Sequence, residues 1–399
     1  MKIHLVTIAD LPEGGGHTSR LKTLVQSLRH AGHEVRVWSE HGLGTVPSSL
    51  QQPRGDIHGA PYEYALGTTD RGHGFGSITT KLRAVRAIAR HIRQAAAVHE
   101  VDVLWFNQLY FYDTVPLTRL ARRLGLRTVQ SYEDERLEIV SDSSRSLAQR
   151  VIALDARLAD RRCPAMADAI VVISQYLHDK YARLCGDPSK VWLLPTIVDC
   201  AAWDCGPETP ADCPVLLYSG VFAEQDEMDK LLDAIARLRA EGRAFRVVLL
   251  GDNQRDPSRR EAARRRVSEL GLADRIEMRG FVPLDAVREQ VARSHILLNL
   301  RREGIWSRSG LSTKLSEYLA SGRFVLTSAV GDVTRYVRDG ESAVVLPSPF
   351  TAEAVAAAIR AALDSPDRRR AIGAAGRAVA CRHFDVPVAA EILNQIIAP

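Results

Sequence analysis

Apolar positions along the 399 residues fall into short runs separated by stretches of helical period. In the first half the runs are Lys2–Ile8, Glu34–Ser39, Val101–Phe106, Arg127–Ser131, Ala169–Ser174 and Val191–Pro195. In the second they are Val215–Gly220, Phe245–Gly251, Ile276–Gly280, Ser294–Leu300, Phe324–Thr327 and the stretch ending at Val345. Helical spacing fills the gaps, for example at Thr18–Ala31, at Thr79–Val98 and through Leu231, Leu232, Ile235 and Leu238. Unbroken apolar strands alternating with helices predict parallel sheets covered on both faces. Residues 41–78 lack either period and are rich in Gly, Pro and Ser, so they read as a long functional or mobile insert.

A chain of this length exceeds one ordinary core, and two domains are expected. The boundaries predicted are a first domain over 1–196, a linker over 197–213, a second domain over 214–384, and a terminal helix over 385–399 that crosses back to the first. Apolar content of 46% and charged content of 25% are ordinary for a globular protein. The net charge of +5 argues neither for nor against nucleic acid. The Arg-rich helix before Leu270 interleaves Glu261 and Glu269, has no aromatics, and reads as a solvated face; no nucleic-acid partner is expected. Six cysteines (163, 185, 200, 205, 213 and 381) form no Cys-x-x-Cys pair, and the group between 200 and 213 has no nearby His. They read as buried or linker thiols, not a zinc site. No apolar run approaches the roughly 18 residues of a spanning helix, and Lys2–Ile8 is too short for a signal peptide. The expected location is cytoplasmic.

Three stretches carry candidate chemistry. Between two buried strands, Ser309 to Gly322 predicts a loop and a helix starting near Ser312, capped by Ser312 or Thr313. Its free amides and positive dipole end suit a phosphate or diphosphate. Lys314 in the first turn opposes that dipole unless an anion binds beside it; the other reading is a solvated Lys314–Glu317 ion pair. Near the N-terminus, Gly14-Gly15-Gly16-His17 joins the first strand to the first helix. It permits close approach to a ligand, or is only a turn with His17 as a helix-start residue, and it lacks the dinucleotide spacing. At the end of the Arg127 strand, Tyr132-Glu133-Asp134-Glu135 sets three carboxylates on the ligand-binding edge of a sheet, or in a solvated loop.

The run Lys314-Leu315-Ser316-Glu317-Tyr318-Leu319-Ala320-Ser321-Gly322 resembles the donor-site signature of the family-four retaining glycosyltransferases of the GT-B fold. The likeness extends over nearly the whole chain and is best over 213–384. It implies an α/β protein of two Rossmann-like doubly wound domains facing a central cleft. In that family two glutamates have seven residues between them; Glu317 matches the second, which holds the ribose, and Ser309 stands at the first. An Arg and a Lys that neutralise the donor diphosphate are replaced by Val221 and Asp226, after Gly220. Lys314, Arg302 and Arg308 are the substitutes the resemblance leaves, with the loop from Ser309 through Gly310, Leu311, Ser312 and Thr313 around the phosphates. Arg279, Gly280 and Phe281 would border the base, and Gly15 and Gly16 would face the diphosphate and acceptor. His17, Glu133 and Asp134 are the catalytic candidates.

The implied activity is metal-independent, retaining transfer of a sugar from a nucleotide-sugar donor to a hydroxyl of a small-molecule or lipid-linked acceptor, with no cofactor. A non-catalytic nucleotide-sugar-binding partner of an active transferase and a GT-B sugar-nucleotide epimerase are the alternatives. The helix over 79–98 places Leu82, Val85, Ile88 and Ile92 on one stripe and Arg83, Arg86, Arg90 and Arg93 on another. It is either a solvated helix packed on a sheet or a basic surface for weak contact with an anionic membrane, at its inner face.

Overall fold

The computed structural model describes residues 1–44, 46–70, 75–107, 110–135, 147–251 and 257–398. The chain divides into two compact units, Met1–Pro195 with Val386–Pro399, and Thr196–Asp385.

The first unit holds β1 (Lys2–Thr7), β2 (Glu34–Ser39), β3 (Arg54–Ile57), β4 (Ala60–Tyr64), β5 (Val103–Asn107), β6 (Arg127–Tyr132), β7 (Ala169–Val172) and β8 (Val191–Leu193). Their order is β3-β4-β2-β1-β5-β6-β7-β8, parallel throughout except for the β3–β4 pair. The chain works outward from β1 and then returns to β5 on its other side. Loops therefore part at the carboxyl ends of β1 and β5, where doubly wound sheets take their ligands.

Two expectations change here. Part of the stretch 41–78 is a β3–β4 hairpin, not an irregular insert. Its turn is His58-Gly59, with φ of 51° and 77°, and Asp56 Oδ1 accepts from Gly59 N at 2.7 Å. Two consecutive positive φ values match the twist of a hairpin. Leu82 is 42% exposed, while Ala84, Val85, Ile88, Ile92 and Ala95 of the helix Phe75–Ala97 are buried. Leu82 lies about 60–120° round the helix from Val85, Ile88 and Ile92, on the flank of the buried stripe.

The second unit holds β9 (Val215–Ser219), β10 (Arg246–Leu250), β11 (Ile276–Met278), β12 (Ile296–Asn299), β13 (Phe324–Ser328) and β14 (Val344–Leu346). The sheet is wholly parallel, in the order β11-β10-β9-β12-β13-β14, and its own switch point lies between β9 and β12. One core layer centres on Leu216, Ile235, Leu249 and Ile359, the other on Leu217, Leu297, Leu315 and Val325. The stretch expected as a linker is built into this unit. Val198, Cys200 and Trp203 are buried in the second layer, and Arg323 donates to Cys205 O and Gly206 O. The last helix, Val386–Ile397, belongs to the first unit and packs on the helix Gly16–His30. Arg127 Nη2 donates to Ile396 O there, at 3.0 Å. Among the described residues no helix is long and apolar enough to cross a membrane.

Candidate active site

In the second unit, β9 and β10 run straight into Gly220 and Gly251, and Gly280 lies two residues beyond β11. Gly220 N donates to Leu250 O, and Gly251 N to Gly280 O. Gly251 has φ of +114°, and a Cβ there would lie 1.8 Å from Gly220 O, so only glycine fits. Gly251 stands with Gly220 and Gly280 as a residue of this edge that no sequence motif marks.

Behind this edge the helix Thr313–Ala320 starts from Ser312. Neither hydroxyl expected as its cap serves that role: the helix start has no side-chain cap, and Ser312 Oγ donates to Asn299 Oδ1 at 3.2 Å. Asn299 ends β12 and is fixed by Thr327 of β13, through Nδ2 to Thr327 Oγ1 at 3.2 Å. Asn299 thus aims the loop that leads into the helix.

Lys314 does not lie out in water beside Glu317. Its Nζ stands 3.7 Å from Asp226 Oδ1 and 4.6 Å above the Tyr218 ring, and its side chain is 20% exposed. Asp226 Oδ2 accepts from the Tyr218 hydroxyl at 2.6 Å and from Ala223 N at 3.1 Å. A Cβ at Gly220 would come within 2.7 Å of Nζ, so the glycine leaves room for the ammonium. Burial pulls the Lys314 pKa down, and Asp226 opposes that. Burial, then the Asp226 charge, pushes the Tyr218 phenol well up, which keeps it a neutral donor.

Glu317 is partly buried, one turn along. Burial raises its carboxyl to about 7, against the pull of Arg288 and Lys314. Arg288, which the sequence reading did not single out, also lies 5.4 Å from the centre of the Trp203 ring. The other cations proposed for the diphosphate are engaged at the surface. Arg302 pairs with Glu224, and Arg308 Nε lies 3.3 Å from Glu303. Arg279 Nε lies 2.7 Å from Glu277. Ser309 is fully buried at the end of a short helix, Gly310 is extended, and Leu311 joins the core. Phe281 is half-buried just beyond Gly280.

In the first unit, Gly15 precedes and Gly16 opens the helix Gly16–His30, which brings His17 and Arg20 to the carboxyl end of β6. Glu133 receives both. His17 Nδ1 lies 2.9 Å from Oε2, Arg20 Nε 3.0 Å from Oε1, and Asn107 Nδ2 donates to Oε1 at 3.0 Å. Thr7 Oγ1 in turn donates to Asn107 Oδ1 at 3.4 Å, so the ends of β1, β5 and β6 are tied together. Burial pushes the Glu133 carboxyl up, but the His17 charge and hydrogen bond, then Arg20 and Asn107, outweigh it and hold it at about 2. A carboxylate only accepts, so Nδ1 of His17 carries the hydrogen facing it. His17 Nε2 is buried and has no partner among the described residues.

The solvated-loop reading of Tyr132–Glu135 fails for two of its carboxylates. Glu133 is 4% and Glu135 3% exposed, and Glu135 is locked onto Lys180 at 2.8 Å. Asp134 is exposed, and its charge still acts on Arg20. Arg20 and Asn107 carry no motif in type or spacing, and only the fold brings them to Glu133.

Residues 206–379 match the family described as Glycosyl transferases group 1, and residues 15–196 match the Glycosyl transferase 4-like domain. Between them the matches span both units, and the chain is a glycosyltransferase of the GT-B fold. It is 23% identical over 261 residues to an alpha-D-kanosaminyltransferase of Streptomyces kanamyceticus, 63% of this chain and 64% of that protein, just under two thirds of its length. It is also 23% identical over 314 residues to a GDP-mannose-dependent alpha-(1-6)-phosphatidylinositol monomannoside mannosyltransferase of Mycolicibacterium smegmatis, 75% of this chain and 77% of that one. Among solved structures, Anabaena HepE in complex with UDP and glucose matches with a TM-score of 0.71 at 16% identity, covering 99% of this chain and 98% of that chain.

Proposed function

We propose that the chain moves a sugar from a nucleotide-sugar donor to an acceptor hydroxyl, with retention at the anomeric carbon and without a metal ion in the chemical step. The observation that carries this reading is Lys314. Its ammonium is delivered, largely buried, to the carboxyl edge of the second unit's sheet, beside Gly220 and the start of a helix.

A leaving nucleoside diphosphate gathers negative charge as the glycosidic bond breaks, and charge fixed in advance beside it stabilises that state most. Lys314 and the first-turn amides supply positive charge without a divalent ion. The ion pair with Asp226 is loose at 3.7 Å, well beyond the roughly 2.7–2.9 Å of a good charge-assisted bond, so a phosphate oxygen can replace the carboxylate at little cost. Glu317, one turn further, accepts from the ribose hydroxyls. In the first unit Glu133 stays ionised and takes no proton. It orients the His17 ring with Nδ1 toward the carboxylate, which leaves Nε2 to meet a hydroxyl of the acceptor.

The lost Arg and Lys at Val221 and Asp226 do not mark an inactive relative, because a cation reaches Asp226 from the helix instead. HepE binds UDP and glucose and the Mycolicibacterium relative depends on GDP-mannose, which supports a nucleotide-sugar donor here. The protein works in the cytoplasm on a small or lipid-linked acceptor, the latter reached by weak adsorption of the basic helix at the inner membrane face.

Incubation with a panel of nucleotide sugars, with and without candidate acceptors, tests this by mass spectrometry of nucleotide and product. Free nucleoside diphosphate with a glycosylated product of retained configuration is expected. Donor bound but unchanged would make the chain a non-catalytic partner, and donor isomerised without acceptor would make it an epimerase.

A further inference from the structure

The second unit contains a cluster unrelated to the sites above. Cys200 lies just after the chain enters that unit, and Cys381 and Asp385 lie where it leaves. The two ends run side by side. Val198 N donates to Phe384 O at 2.8 Å, Val198 and Asp385 form a parallel bridge, and Cys200 N donates to Asp385 Oδ1 at 3.1 Å. The sulfurs of Cys200 and Cys381 and a carboxylate oxygen of Asp385 all lie within 4.8 Å of one another. Among the described residues this is the one group of three such ligand atoms. We propose that Cys200, Cys381 and Asp385 form a binding site for a soft divalent cation, with zinc the ion whose chemistry fits.

Two thiolates and a carboxylate are ligands zinc favours, at about 2.3 Å for sulfur and 2.0–2.2 Å for oxygen. Atoms already this close reach a tetrahedral arrangement through small side-chain movements, and water takes the fourth position. The hydrogen bond from Cys200 N fixes the carboxylate, the kind of outer contact that orients metal ligands. Two thiolates, one carboxylate and a divalent ion leave one negative charge, near Arg377, whose Nη2 pairs with Asp204 at 2.9 Å. Arg377 Nη1 donates to Cys200 O at 2.9 Å. Cys200 is buried in the core, while Cys381 is partly exposed and gives an ion a way in. The nearer cysteines in sequence take no part, and Cys205 Sγ donates instead to Trp203 O at 3.4 Å.

Without a metal, burial and then the hydrogen bond to Cys381 push the Cys200 thiol far up, and a cysteine ligates zinc as its thiolate. Binding therefore exchanges two thiol protons for the ion: a divalent cation, two thiols and one carboxylate give the complex and two protons. No oxidant or reductant enters. The bound ion would pin together the two segments through which the chain enters and leaves the second unit, a structural role separate from the donor chemistry.

The full-length chain, reduced and stripped of metal, is titrated with zinc against a chromophoric competitor in weakly buffered indicator. One equivalent bound, about two protons released, and an affinity that climbs with pH are expected. Cys381→Ser and Asp385→Asn should each weaken binding tenfold or more, with circular dichroism confirming that they fold. Cobalt in place of zinc should give thiolate-to-metal charge-transfer bands that vanish in Cys381→Ser. Equal uptake by Cys381→Ser and the native chain, or no uptake by the native chain, overturns the site. So does finding the two cysteines joined as a disulfide in the untreated protein, by a mass lower by two hydrogens and two fewer titratable thiols.

Discussion

The ammonium of Lys314 reaches the carboxylate of Asp226 across 3.7 Å, over the face of Tyr218. In the resembling family a lysine is expected at position 226 itself. Here the sign at 226 is reversed, and the cation arrives from the first turn of the helix Thr313–Ala320. Asp226 is held by Tyr218 and Ala223 N, so it is the fixed partner and Lys314 the movable one.

Lys314→Met should therefore weaken binding of the donor nucleotide about 10–100-fold, the loss of a hydrogen bond to a charged group worth roughly 1.5–3 kcal/mol. Gly220→Ala should act in the same direction, because its Cβ would crowd Nζ at 2.7 Å. Calorimetry with the nucleoside diphosphate reads both. Unchanged affinity in Lys314→Met would remove the lysine from the donor site.

Glu317→Gln should lower donor affinity more than it lowers thermal stability. The native carboxyl is raised to about 7 by burial, so the ligand-free protein is stabilised by its protonated form below the usual 4.5. That contribution is lost as pH rises toward 7. Donor binding runs the other way, because the ionised carboxylate is the better acceptor for ribose hydroxyls. Affinity should rise between about pH 6 and 8 in the native chain and stay flatter in Glu317→Gln. A native profile as flat as the variant's would detach Glu317 from the ribose.

Much of the fold was legible because parallel strands buried on both faces leave unbroken apolar runs such as Val215–Ser219 and Phe324–Ser328. The β3–β4 hairpin was not, since its turn is His58-Gly59 and only backbone angles reveal it. Glu317 and Lys314 stood out by their place on a helix start. Their partners did not, because a sequence does not say which carboxylate a buried lysine meets. Glu133 and His17 are 116 residues apart, and the cluster joining them is a product of sheet order. The cysteine group escaped for the same reason: Cys200 looked clustered with Cys205 and Cys213, yet it faces Cys381.

Glu133→Gln should destabilise the protein strongly, by about 3–5 kcal/mol, because it leaves the Arg20 guanidinium buried without its counter-charge. Depression of the Glu133 carboxyl from 4.5 to about 2 adds stability present above pH 4.5 and lost as pH falls toward 2. Acid denaturation should show this slope in the native chain and less of it in the variant. His17→Gln should instead keep most of the stability and lower kcat. If His17→Gln retained full turnover, the ring would be structural only.

Transfer should continue in the presence of a chelator, since Lys314 and a helix start supply the positive charge at the diphosphate. The same assay on Cys381→Ser separates any effect of the cysteine cluster from one at the donor. Activity abolished by chelation in both proteins and restored by manganese would require a metal in the chemical step.

The helix Phe75–Ala97 bears on where the acceptor lies. Val85, Ile88 and Ile92 are buried in the core of the first unit, which leaves Arg83, Arg86, Arg90 and Arg93 exposed. None of the four pairs with a carboxylate among the described residues, and Ile78 and Leu82 stand 52% and 42% exposed on the same helix. A basic side chain near an anionic leaflet gains about 1 kcal/mol, so four hold the protein only weakly. Two aliphatic side chains add shallow contact without anchoring it. Adsorption of this kind is electrostatic and must fade as the Debye length shrinks from about 10 Å at 0.1 M salt toward 3 Å at 1 M. The native chain should therefore sediment with phosphatidylserine-containing vesicles at low salt and be released at high salt. The triple change Arg86→Glu, Arg90→Glu and Arg93→Glu should abolish sedimentation while leaving transfer to a soluble acceptor analogue intact. Binding that ignores salt, or that survives the triple change, would place the contact on another surface; no binding by the native chain would point to a soluble acceptor.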